Sequence, residues 1–144
     1  MDIGKLTEHI GANIDVTQCD KLFNAIGWRE RGEDTWRNVL SKSDFVYTLW
    51  DGSDLVAMGR TLTDGVMCMI YDIGVLPQHH SQGLGTRVMK AILTHVKDKG
   101  YASVGLFPWE DSQHRYEVPN VAFYQKFGFV NMGGMECPRV MKPE

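Results

Sequence analysis

The chain has 144 residues, with 15 lysines and arginines against 18 aspartates and glutamates, a formal net charge of −3. Apolar residues make up 43% and charged residues 23%, which fits an ordinary folded domain and excludes a disordered or collagen-like chain. The acidic balance has the wrong sign for a dedicated nucleic-acid binder, and no apolar run approaches the roughly 20 residues that a membrane-crossing helix needs.

No linker or repeat divides the sequence, so residues 1–144 are expected to form one domain. The opening MDIGKLTEHIG lacks the charged-then-apolar pattern of a secretory leader. Cys19, Cys68 and Cys137 are far apart and form no CxxC pair. They read as buried small hydrophobes in a reducing, cytoplasmic setting.

Residues 1–12 leave room for a short edge strand. Asp15 or Thr17 is placed to cap a helix through Leu22, Phe23 and Ile26, with Gly27 as its stop. A second helix is predicted over 33–41, its apolar face Trp36, Val39 and Leu40. Strand-favouring residues then dominate 45–50, 55–62 and 66–76, with turn signals at 51–54 and 63–65. That order predicts an antiparallel meander. Its third strand is apolar almost throughout, which predicts cover on both faces. A further helix from Leu84 carries Val88, Ala91, Ile92 and Val96 on one face and stops at Gly100. A short strand at 103–107, a polar loop at 108–119, a helix at 121–127 capped by Asn120 and stopped by Gly128, and final strands at 129–130 and 140–141 complete the reading. The fold class is α/β of the α+β type, a central, mostly antiparallel mixed sheet with flanking helices.

The turn between Val75 and Thr86 holds most of the chemical information. It carries Gly83 and Gly85 at the start of the long helix. The first amides of a helix lack internal partners and sit at the positive end of its dipole, and glycine removes the Cβ that would keep a ligand from the backbone. The product is an anion cradle. Neither GxxxxGK[ST] nor GxGxxG is present, which excludes the nucleotide loops those motifs build. His79 and His80 are adjacent, so they do not readily chelate one metal, and they read as a solvated loop pair with no metal site.

Val75-Leu76-Pro77 through His80-Ser81-Gln82-Gly83-Leu84-Gly85-Thr86 resembles motif A of the GNAT N-acetyltransferase superfamily, V-x-P-x-x-[RQ]-x-x-G-x-[GA]. Ala122-Phe123-Tyr124-Gln125-Lys126-Phe127-Gly128-Phe129 resembles its motif B, FYxKxGF. One helix, one strand and one loop separate the two, as in the family. The resemblance implies a sheet splayed at the cofactor site and acetyl-CoA as co-substrate. It implies that the pyrophosphate rests on Ser81, Gln82, Gly83, Leu84, Gly85 and Thr86, and that the pantetheine arm pairs with Ile73, Gly74 and Val75. Gly74 would then permit close approach or mark a bulge. His80 replaces the family's arginine or glutamine, and Gln82 is placed to supply the missing donor. Asn120 is included on the cofactor side.

By the same resemblance Tyr124 lies near the sulfur as general acid. Its ordinary pKa near 10 exceeds that of a thiol near 8.5, so full proton transfer is uphill by roughly 2 kcal/mol and hydrogen-bond donation is the better description. Deprotonating a lysine-like amine at pH 7 costs about 4.6 kcal/mol. The strand positions where relatives carry a base are Met69 and Tyr71 here, and unless a bulge intervenes alternation turns Asp72 to the other face as a structural residue. On the acceptor side the resemblance implicates the run Gly27-Trp28-Arg29-Glu30-Arg31, Trp28 and Arg29 first, together with Met69, Tyr71, Trp109 and Glu117. Glu117 stands where the family has an asparagine. Trp36 and Trp50 read as core. The expected activity is direct acetyl transfer to a primary amine, first of all of a small molecule. The alternatives are acetylation of a protein N-terminus or lysine, or a non-catalytic acyl-CoA-binding module. The expected partners are acetyl-CoA and the amine, with no nucleic acid or membrane, and a homodimer is left open.

Overall fold

The computed structural model describes residues 5–107 and 121–130. In chain order the elements are β1 (Thr7–Ile10), α1 (Thr17–Ala25), α2 (Glu33–Lys42), β2 (Phe45–Asp51), β3 (Asp54–Thr63), β4 (Met67–Val75), α3 (Leu84–Lys99), β5 (Ser103–Gly105) and α4 (Val121–Gln125). The five strands form one sheet in the order β1-β2-β3-β4-β5. All neighbours are antiparallel except β4 and β5, which run parallel. The expected meander is therefore present, extended by the edge strand β1.

Local chemistry explains the turns. Asp64 Oδ1 accepts from the amides of Val66 and Met67 at 2.8 and 2.9 Å, and Gly65 takes a φ of +98° that other residues resist. Asp15 Oδ1 accepts from Thr17 N and Thr17 Oγ1 at 3.1 and 2.6 Å, just ahead of α1. Gly100, with φ +72°, closes α3 through amide bonds to Val96 and Lys97 carbonyls.

The helices divide between the two faces. Leu84, Val88, Met89, Ile92 and Val96 of α3 pack with Tyr47, Leu49, Cys68, Ile70 and Tyr124. On the other face Cys19, Leu22 and Phe23 of α1 and Trp36 and Leu40 of α2 pack with Val46, Leu55 and Met58. Cys19 and Cys68 are fully buried free thiols, as expected, while Cys137 lies outside the described residues. Burial, then the nearby Asp20 and Asp72 charges, push the Cys19 thiol up to about 12.

Three expectations need correction. Cover on both faces of β4 is incomplete, because Cys68, Ile70, Asp72 and Gly74 are buried while Met69, Tyr71, Ile73 and Val75 are only half-buried. The final helix stops at Gln125, with a turn to Gly128 in place of its last residues. Phe129 and Val130 join no strand among the described residues, and 140–141 lie outside them.

The α3 face is packed closely at one point. A Cβ on Gly59 of β3 would stand 2.5 Å from Ile73 Cδ1 and 2.8 Å from both Ile92 Cδ1 and Val88 Cγ1. Gly59→Ala is therefore expected to destabilise by about 2 kcal/mol through overpacking, which calorimetry would read as a fall of roughly 8 °C in Tm.

Candidate active site

β4 changes character halfway along. Its parallel pairing with β5 covers only Met67–Met69, so among the described residues 70–75 have no strand on that side. On its other side Met58 faces Gly74 but Arg60 faces Tyr71, leaving Gly59 opposite both Asp72 and Ile73. This bulge breaks the alternation. Tyr71 and Asp72 both reach the α1–α2 face, where they meet Arg60 and Arg31, while Ile73 packs on the α3 side. The bulge sits at Asp72–Ile73 and not at Gly74, and it returns Asp72 to the face that strict alternation denied it. Gly74 has a packing role: a Cβ there would lie 2.7 Å from Cε1 of Phe23.

Beyond β4, Pro77–His79 form one 3₁₀ turn. Ser81 and Gly83 then take positive φ, +67° and +78°, and α3 begins at Leu84. The first amide with a carbonyl one turn back is Arg87, bonded to Gly83 O at 3.1 Å. The amides of Leu84, Gly85 and Thr86 therefore have no helical acceptor. Among the described residues nothing lies within 4 Å of the space a Cβ on Gly83 would take. An open turn followed by orphan amides suits a diphosphate. Of the pair read as solvated, His80 is exposed and His79 is not. His79 is buried, its Nδ1 3.3 Å from Gln82 Oε1, while His80 Nε2 donates to the carbonyl of Val75 at 2.7 Å. The loop's own packing requires the buried ring, and the exposed one folds back onto β4. Among the described residues no three His, Cys, Asp or Glu side chains converge where a metal could sit.

α4 docks on this region. The Phe123 ring comes within 3.2 Å of where a Cβ on Gly85 would stand, so glycine here serves helix packing. Tyr124 is buried in the α3 core. Burial pushes its phenol up to about 12.

On the opposite face, Asp72 holds two arginines. Its Oδ1 accepts from Arg31 Nη2 at 2.7 Å, and its Oδ2 accepts from Arg31 Nη1 at 2.8 Å and Arg60 Nε at 2.7 Å. Burial alone would raise the Asp72 carboxyl. Arg31 and then Arg60 outweigh it and hold the group below the usual carboxylate range. The Arg60 guanidinium lies 5.1 Å from the Tyr71 ring centroid. Met69 Sδ packs 3.2 Å from the Cβ position of Gly105, at the point where β4 and β5 part. Trp28 is half-buried on Phe23, with ring centroids 4.8 Å apart, and Arg29 is exposed. Trp36 is core, as expected, whereas Trp50 is only half-buried. Trp109, Glu117 and Asn120 lie outside the described residues. The sequence pointed to Arg31 beside Arg29 and to Asp72 as a structural residue, but not to Arg60 or to the carboxylate bridge between the two arginines. The available signal was a lone cation and a lone acid on adjacent apolar strands.

A parallel strand pair parting beside a glycine-turned helix start defines the class, the acetyltransferase fold. The chain belongs to the Acetyltransferase (GNAT) family, whose model matches residues 14–129. Its fold is that of a putative acetyltransferase from Deinococcus radiodurans, with a TM-score of 0.76 at 20% identity over 96% of this chain and 92% of that one. A probable acetyltransferase from Staphylococcus aureus gives 0.72 at 26% identity over 90% and 98%. Among curated relatives, serotonin N-acetyltransferase 2, chloroplastic, of Oryza sativa subsp. japonica is 28% identical over 81% of this chain. GCN5-related N-acetyltransferase 1, chloroplastic, of Arabidopsis thaliana is 31% identical over 84%. The chain covers 56% and 58% of those two proteins' own lengths.

Asp72→Asn keeps a residue that tolerates its φ of +55° but leaves two cations without their carboxylate. The expected loss is about 3 kcal/mol at pH 7, measured by denaturant unfolding. The folded carboxyl sits below its ordinary 3.8. Its stabilisation is therefore complete above about pH 4 and is lost as the pH falls through the folded value, so the variant's stability should depend less on pH on the acid side.

Proposed function

We propose that this chain transfers the acetyl group of acetyl-CoA to a primary amine of a small molecule by direct attack, with no covalent enzyme intermediate. Family membership supports acyl transfer, and the open glycine turn with its orphan amides carries the reading. Ser81 to Thr86 would hold the diphosphate, and the unpaired edge at Ile73–Val75 would align the arm of the carrier, whose bound thioester supplies the activated acyl group. The amine nitrogen attacks the carbonyl carbon, the C–N bond forms and the C–S bond breaks. The proton lost by the amine balances the thiolate released.

Tyr124 stays protonated, because burial raises its pKa to about 12. Among the described residues its hydroxyl has no hydrogen-bond partner, which leaves it available to developing charge on sulfur or oxygen. Complete transfer of its proton to a thiolate is uphill by roughly 5 kcal/mol, so its role is donation of a hydrogen bond. Asp72 is no base, because both its oxygens are already engaged by arginines. The rice relative's name puts arylalkylamines first among the acceptors to test. The reading of a cytoplasmic protein stands beside two relatives whose names say chloroplastic.

Thiol release from acetyl-CoA should be measured over a panel of arylalkylamines, aliphatic amines and peptides. Turnover with a small amine is expected; turnover with peptides alone would favour protein acetylation, and tight CoA binding without turnover a binding module. Tyr124→Phe is expected to lower kcat about a hundredfold while the Kd for CoA stays within about twofold. With no described residue acting as base, kcat/KM should rise about tenfold per pH unit toward the amine's own pKa. A plateau near neutrality would instead indicate a protein base.

A further inference from the structure

The segment between α1 and α2 is fastened at two levels. Asp20 of α1 receives the backbone amides of Arg31 and Gly32, both at 2.8 Å, and the indole Nε1 of Trp36 at 2.7 Å. Burial would raise the Asp20 carboxyl, but these bonds, led by the Arg31 amide, bring it below its usual range. Beyond that backbone anchor, the Arg31 side chain crosses to β4 and grips both oxygens of Asp72 at the bulge. Its guanidinium carbon lies 4.4 Å from the Trp36 ring centroid and 5.8 Å from that of Trp28. Arg60 holds the same carboxylate from β3. The connection 26–32 thus rests on β4 at Asp72, within the stretch 70–75 that has no strand beside it among the described residues.

The start of α3 occupies one face of the sheet at that edge. A second reactant must come to the edge from the other face, where Tyr71, Arg31 and the 26–32 connection stand. We propose that Arg31 is a positioning residue: its two-pronged bond to Asp72 fixes the 26–32 connection as the wall of the acceptor subsite. This rests on the acetyl-transfer reading above. Asp72 itself is saturated by arginines, so it serves the wall as an anchor and not as a partner for the acceptor's cation.

The test compares wild type with Arg31→Met, which keeps the stem but loses the fork, and Arg31→Lys, which keeps the charge but cannot bind both oxygens in one plane. Arg31→Met is expected to raise the KM for the best amine acceptor about tenfold, with the KM for acetyl-CoA within about twofold and Arg31→Lys in between. Amide hydrogen exchange should quicken about tenfold across 26–32 but not in α3 or β2–β4. An unchanged amine KM, equal rises in both KM values, or unchanged exchange at 26–32 would overturn the proposal. Failure of the underlying reading looks different: the wild-type protein itself would then release no thiol with any amine.

Discussion

Asp72 sits in the left-handed region at φ +55°, inside a strand that is otherwise nearly all apolar, with its carboxylate buried between two guanidinium groups. Each of these features is unfavourable alone. A non-glycine residue at positive φ stores strain, and a buried carboxylate without partners would cost several kcal/mol. Together they stabilise one another. The extra residue of the bulge turns the carboxylate toward Arg31 and Arg60, and those arginines hold the backbone that makes the bulge. The same local twist moves Ile73 into the space left by Gly59.

The donor side is built differently. It depends on an absence of side chain and of internal hydrogen bonds at the start of α3, and its supports lie around it. His79 is buried on Gln82, His80 bonds back to Val75, and Phe123 packs against Gly85. The two glycines are not equivalent. Gly83 is required by its backbone angle and stands in open space, whereas Gly85 leaves room for an aromatic ring from α4. A motif of two glycines thus joins a binding requirement to a packing requirement, and the second one holds Tyr124 in the α3 core.

Much of this was legible in the sequence because it is periodic or local. The alternation of β2 and β3, the apolar stripe of α3 and the turn residues at Asp64 and Gly65 each act within a few positions. The glycine turn was legible because its chemistry is confined to backbone amides. The arginine pair was not, since Arg31, Arg60 and Asp72 are brought together by tertiary contact across 41 and 12 positions. A bulge in this stretch was expected, but at Gly74 and not at Asp72–Ile73. Strict alternation is blind to one extra residue, and here that residue moved Asp72 to the face shared with Tyr71. Gly74 looked like the irregular point because glycine often marks one, yet it is bare to admit the ring of Phe23.

The two titratable groups invoked in the proposed reaction, Tyr124 and Asp72, are shifted in opposite directions. Tyr124 is raised by burial alone and stays a neutral donor. Asp72 is lowered by its arginines and stays a charged anchor. Neither exchanges a proton readily near neutrality, so this part of the fold acts through fixed dipoles and position. That arrangement suits attack on a thioester, which is already activated. In the proposed reaction the acceptor arrives with a free lone pair and meets a carbonyl held in a set direction. A rigid wall on one face and a helix start on the other supply that direction, and the bulge at Asp72–Ile73 is the element that both sides share.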